Sequence, residues 1–174
     1  MAITGIPEVI HNFNMYNTGN IIVGVTGEVA IPDLEALTST VSGAGILGEY
    51  EAIVAGHFGS MEQEIGFRVI DRDYFNLIDP TKSVELTLRG SIQYTEQATQ
   101  NTTYMGMRVV VRGKCKKIKI GTVKLSDRMD SSISLELTYI LVEMDGQKKI
   151  ELDKLNPKFI VNGVDMLAKS RALA

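Results

Sequence analysis

Apolar and polar side chains alternate along most of this chain. Val84, Leu86 and Leu88 alternate with Glu85, Thr87 and Arg89; Ile133, Leu135, Leu137, Tyr139 and Leu141 share one face of a later segment, and Ile65, Phe67 and Val69 do so earlier. A period of two is that of strands with one buried and one wetted face, the antiparallel pattern. Further strands are predicted near 20–31, 49–56, 105–118 and 147–152. Thr18-Gly19-Asn20 and Asp145-Gly146 supply turns, Asp-Gly being a dipeptide that tolerates the positive φ angles of a tight hairpin.

Helical periodicity is sparse. Residues 71–79 predict a short helix, with Asp71 as N-cap, Tyr74, Phe75, Leu77 and Ile78 as its apolar side and Pro80 as its stop. A second short helix is predicted over 162–173. Asn162 is its N-cap, Asp165 stands three residues on as in a capping box, and Val164, Leu167 and Ala168 form the stripe. Asp165 and Lys169 make an i,i+4 pair. Two long loops remain, a small-residue stretch over 38–48 and a polar one over 96–103; loops of such length are functional or mobile.

Composition narrows the classes. At 174 residues with 44% apolar content the chain reads as one domain with a sufficient core. A net charge of −3 gives no general attraction to nucleic acid or to anionic membranes. One cysteine excludes an internal disulfide framework and fits a reducing compartment. The N-terminal residues show no secretory pattern, and no apolar run approaches the ~20 residues of a membrane span. A protein without stable membrane association, made in cytoplasm, is the expectation.

Motifs of catalysis fail on context. Gly43-Ala44-Gly45-Ile46-Leu47-Gly48 spells G-x-G-x-x-G, but that fingerprint works only between a buried strand and a helix, and neither flanks it. Cys115 lies among Lys114, Lys116 and Lys117, which favour a thiolate, yet His11 and His57 are distant in sequence and no base is evident. One cysteine and two scattered histidines give no zinc spacing. His57 near Glu62 and Glu64 reads as a turn histidine rather than a ligand. Arg112, Lys114, Lys116, Lys117 and Lys119 form a basic run that splits between the two faces of a strand and carries no interleaved aromatics for stacking bases. No cofactor or metal site and no enzyme activity are expected.

The ordered set of segments nevertheless resembles one family. Asn12-Phe13-Asn14-Met15-Tyr16 follows an N-terminal Ile-Pro, then come Ile31-Pro32-Asp33-Leu34, the glycine-rich stretch over 43–48, Leu88-Arg89-Gly90 and Val111-Arg112-Gly113. The set closes with Leu137-Thr138-Tyr139, Met144-Asp145-Gly146, Ile150-Glu151-Leu152-Asp153 and Val161-Asn162-Gly163-Val164-Asp165. In wording and order this is similar to the major tail tube proteins of contractile-tailed phages and phage-tail-like bacteriocins. Two departures stand out: Gly121-Thr122-Val123-Lys124-Leu125-Ser126-Asp127 lacks the tryptophan many members carry, and the chain stops at Ala174 where many continue with Gly-Leu.

That resemblance implies a mainly β fold, an antiparallel β-sandwich or barrel-like tube fold with short central and C-terminal helices. It implies one domain over 1–174, with an N-terminal arm at 1–17, a stacking loop at 38–60 and a C-terminal helix at 162–173. It implies hexameric rings stacked into the inner tube of a contractile tail, a conduit for DNA passage or membrane puncture. Sheath, tape-measure, baseplate and tail-terminator proteins are the implied partners. The implied location is the virion tail, after assembly in the host bacterial cytoplasm. Two alternatives are the tube of a type VI secretion-like apparatus and a monomeric β-sandwich binding module, the latter disfavoured by the lack of tryptophan.

Candidate positions follow. Ring stacking is assigned to Asn12, Phe13, Asn14 and Tyr16 and to Val41, Gly43, Gly45, Ile46, Leu47 and Gly48, because a glycine-rich loop carrying apolar side chains needs a neighbour to cover them. Glu62, Glu64, Arg68, Glu85, Thr87 and Arg89 are the candidates for lining the lumen, as a wall of net acidity that repels DNA phosphates. Asn162, Asp165 and Leu167 are assigned to packing of the C-terminal helix.

Overall fold

The computed structural model describes residues 4–174. Three long antiparallel strands form its centre: β6 (Val84–Glu96), β7 (Thr102–Lys119) and β8 (Ser131–Met144). Their alternation places apolar residues in rows. Leu86, Val111, Ile140 and Leu152 lie side by side across β6, β7, β8 and β9 (Gln147–Asp153), each almost wholly buried. Leu88, Val109 and Val142 make the next row. β1 (Gly5–Asn17) flanks β6 and adds Met15 opposite Leu88, and β10 (Lys158–Val161) and β11 (Val164–Asp165) extend the other side.

One irregularity shapes the fold. Arg112 pairs with Tyr139 but Gly113 pairs with Leu137, so Thr138 is an extra residue in β8. An extra residue bends a strand and reverses which side chains face inward. Ile133, Leu135 and Leu137 point into the core, and beyond the bulge Ile140 and Val142 do so, while Tyr139 and Leu141 lie on the opposite face, where Leu141 is still buried. The single five-residue face expected of this strand is therefore two faces. At the same point β8 changes neighbours: its first half pairs with β5 (Glu62–Phe67) and its second with β9. No Cβ fits at Gly113, where it would lie 2.2 Å from the Glu136 carbonyl oxygen.

The sheet curls round its core without closing into a barrel. β2 (Asn20–Ile21) turns back onto β1, Ile22 N–H donates to the Met15 carbonyl, and Val25 and Thr26 then reach the free edge of β5. The long strand expected over 20–31 is thus two short pairings, broken where Gly24 adopts φ +90. Helix α1 (Arg72–Asn76) plugs the open end. The Asp71 carboxylate caps it through the Tyr74 N–H, Tyr74 packs edge-on against Phe67, and its hydroxyl donates to the Lys119 carbonyl. Phe75 and Val69, both expected on apolar faces, are half-exposed.

The C-terminal segment differs most from expectation. Asn162 and Gly163 take φ of +50 and +80 and form the turn between β10 and β11, so Asn162 caps no helix. The helix is the single turn α2 (Ala168–Arg171), with Leu167 as N-cap residue. Asp165 accepts from the Leu167 N–H and pairs with Arg171 rather than Lys169. Asn-Gly is itself the strongest two-residue hairpin signal, and here it outweighs the helical periodicity that follows.

Candidate assembly surfaces

Residues 38–42 are not loop. β3 (Ala36–Ser42) and β4 (Glu49–Phe58) pair as a hairpin that among the described residues belongs to no larger sheet, so the glycine-rich stretch is only its tip, 43–48. Its register, with Val41 opposite Tyr50 and Ser39 opposite Ala52, puts Leu37, Val41, Tyr50 and Ala52 on one face. Thr38, Thr40, Ser42, Glu49, Glu51 and Ile53 occupy the other. Leu37 is half exposed, Tyr50 slightly more so, and Leu47 at the tip is fully exposed. Two-stranded hairpins are marginal alone, and an apolar face left in water has no stabilising partner. This amphipathic alternation is readable in the sequence and was masked by the Thr, Ser and Gly content around it.

The hairpin is held at its root. Phe58 stacks edge-on with Phe159 at 5.0 Å, and Gly59 N–H donates to the Glu35 carbonyl. Between Thr38 and Ala36 the register jumps, and in that wide bulge Gly56 takes φ +77 under Leu167, which would lie 2.5 Å from any Cβ there. Leu167 therefore packs on the hairpin.

The N-terminal arm is a strand. Its residues 1–3 lie outside the described residues, and from Gly5 it pairs along β6. With the far halves of β6 and β7 it forms a flap that exposes Ile6, Val9, Ile10 and Tyr104. Phe13 is half-buried against the core, whereas Asn12 and Asn14 are exposed and Tyr16 lies under the Arg89 guanidinium at 5.6 Å. β2 covers only the last two positions of this strand's outer edge.

The polar face of the main sheet is a mosaic of ion pairs. Glu85 pairs with Arg112, Arg108 with Glu143 at 2.6 Å, and Lys116 with both Glu62 and Glu136. Hydrogen bonds to Glu136 and Glu62 raise the Lys116 ammonium above its ordinary pKa. Burial and then the Glu151 hydrogen bond push Tyr139 up to about 12. Of the residues assigned to a lumen, Glu85, Thr87 and Arg89 share the outward face of β6, Glu62 and Glu64 that of β5, and Arg68 lies just past β5. Glu62 and Glu85 are matched by cations, whereas Glu64, Arg68 and Arg89 make no ion pair among the described residues, so this wall is not net acidic.

The remaining chemical candidates resolve simply. Cys115 is buried and burial raises its pKa, so its lysine neighbours, which point to the other face, do not activate it. The G-x-G-x-x-G residues sit on a hairpin tip with no helix after them. Among the described residues no three His, Cys, Asp or Glu side chains gather as a metal site, and no helix is long and apolar enough to cross a membrane.

The geometry is that of a small core carrying two projections with uncovered apolar surface. Against known proteins, the family described as "Phage tail tube protein FII" matches residues 7–173. The chain belongs to this family. It is also 29% identical over 167 residues to the protein named "Tail tube protein" of Escherichia phage P2, covering 95% of each chain. The role is thus structural, in the tube of a phage tail, and the protein is a component of the virion tail. The family is not one of enzymes.

Proposed function

We propose that this chain forms hexameric rings that stack into the inner tube of a contractile tail, enclosed by a sheath protein and completed by tape-measure, baseplate and tail-terminator proteins. The observation that carries the reading is the β3–β4 hairpin, whose Leu37, Tyr50 and Leu47 are left exposed by the described residues. Burying such a side chain against a neighbour is worth at most about 1.5–3 kcal/mol, repeated at every copy of a symmetric assembly. The hairpin, with Ile46 and the tip glycines, makes the ring-to-ring contact, together with Asn12, Asn14 and Tyr16 of β1. Open strand edges invite pairing between copies, and ring closure removes that hazard.

In this arrangement the outward face of β6, carrying Glu85, Thr87 and Arg89, lines the channel through which DNA passes, and Glu62, Glu64 and Arg68 border it at the end where Lys114, Lys117 and Lys119 share the face of Glu62 and Glu64. The test is assembly of purified protein at rising concentration, followed by ultracentrifugation and negative-stain microscopy. Rings and tubes that grow by mass action are expected. Monomer alone at every concentration, with or without a co-expressed tail initiator, would refute the proposal.

A further inference from the structure

The charges of this chain are segregated. Before Arg68 there are eight carboxylates and no lysine or arginine, and from Arg68 onward there are 18 basic and 13 acidic side chains. The acidic part includes the projecting hairpin, whose polar face carries Glu49 and Glu51 two residues apart. No cation pairs with either among the described residues; Glu51 accepts only from the Thr38 hydroxyl at 3.3 Å.

The basic part contains a stripe that periodicity alone hides. Cys115 pairs with Leu135 and the next pairing is Lys117 with Ser134, so Lys116 is an extra residue in β7. Residues directly opposite across an antiparallel pair share a face. Lys114, Lys117 and Lys119 stand opposite Glu136, Ser134 and Ser132, which alternate with the buried Leu135 and Ile133. The run expected to split between faces is therefore gathered on one. Lys116 is consumed by Glu62 and Glu136, whereas Lys114, Lys117 and Lys119 are exposed and make no ion pair among the described residues.

We infer that the acidic face of the hairpin docks on the Lys114, Lys117 and Lys119 stripe of the next copy. Glu49 and Glu51 are spaced i,i+2 on one strand and Lys117 and Lys119 likewise on another, so both pairs stand about 7 Å apart and match in step. The two surfaces differ, so the contact is head-to-tail and leaves a free acidic hairpin at one end and a free basic stripe at the other, the condition for open growth. Beside the stripe, Ile120, Val123 and Leu125 of the β7–β8 loop are more than half exposed and offer apolar surface to the hairpin's Leu47 and Tyr50. This inference rests on the hairpin being an assembly element and adds what it binds.

Two charge-reversed proteins test it. One carries E49K and E51K, leaving hairpin and stripe both basic; the other carries K114E, K117E and K119E, leaving both acidic. All five side chains are exposed, and circular dichroism with thermal melting checks that each protein folds as wild type does. Each alone should raise the concentration needed for tube growth at least tenfold. An equimolar mixture should restore growth to within about threefold of wild type, because each hairpin then meets a stripe of opposite sign. Wild-type growth should itself weaken several-fold from low to high salt, as exposed charge pairs are screened. Two variants that each grow like wild type, or a mixture that fails as its components do, would overturn the pairing while leaving the tube intact. A wild-type protein that forms no tubes would instead refute the proposed function. Should either lysine-to-glutamate or glutamate-to-lysine set misfold, E49Q with E51Q and K117Q with K119Q replace them; each should then slow growth, and unchanged growth in both would overturn the pairing.

Discussion

The main sheet and the β3–β4 hairpin are both antiparallel and both alternate, yet they treat apolar side chains in opposite ways. In the sheet, Ile65, Leu135, Ile133 and Phe67 are completely buried. In the hairpin, Leu37, Tyr50 and Ile53 are half or more exposed, and among the described residues its strands pair with nothing but each other. Hydrophobic burial holds the first region together within one chain. The second has the same pattern and lacks a partner among the described residues, and on the proposed reading another copy supplies it.

The sharpest contrast is mutational. Leu135→Ala removes buried methyls from the core and should cost about 2–5 kcal/mol of subunit stability, measured by urea unfolding. Ile46→Asp with Leu47→Asp should shift that stability by no more than about 0.5 kcal/mol, since both lie on the exposed tip, while stopping tube growth. A double variant that unfolds the subunit would place the tip in the core and erase the distinction between the regions.

A smaller effect is expected at the ion pairs that clothe the sheet. Glu151 is 4% exposed and accepts from Lys158, Lys148 and Tyr139. Burial pushes its carboxyl up, but those three hydrogen bonds outweigh it and leave the pKa below the ordinary 4.5. A carboxyl lowered by folding stabilises fully above its unfolded value and loses that contribution as pH falls through the folded one. Glu151→Gln should therefore cost about 1.5–3 kcal/mol at neutral pH. Its deficit should shrink below pH 4.5, and equal deficits at pH 7 and pH 3 would assign the effect to packing instead. Smallest of all, Glu85→Gln leaves the half-exposed Arg112 able to reach water and should cost less than about 1 kcal/mol.

How much of this was written legibly in the chain depends on the element. Period-two alternation marks β5, β6 and most of β7 and β8, and Asp145-Gly146 and Thr18-Gly19 turn where such dipeptides should. The errors collect at single extra residues. Thr138 moves Tyr139 and Leu141 to the opposite face of the sheet, and Lys116 gathers Lys117 and Lys119 with Lys114. A bulge depends on which strands lie alongside, and short-range alternation carries no record of that. The C-terminal helix was overextended because Val164, Leu167 and Ala168 imitate a stripe, while the Asn162-Gly163 turn had the stronger claim. The hairpin's exposure was legible only in part: its glycine-rich tip pointed to an assembly element, but that the strands behind it stand apart from the sheet is a property of the whole topology.

Hydrogen exchange of the hairpin amides in free subunit and in tube tests the central claim most directly. With the apolar face covered only by another copy, the amides of β3, β4 and the 43–48 tip should exchange fast in the subunit, while those of β6, β7 and β8 are protected, and should slow by at least a hundredfold in the tube. Hairpin amides as protected in the free subunit as in the tube would contradict the account, because the hairpin would then be held by its own chain.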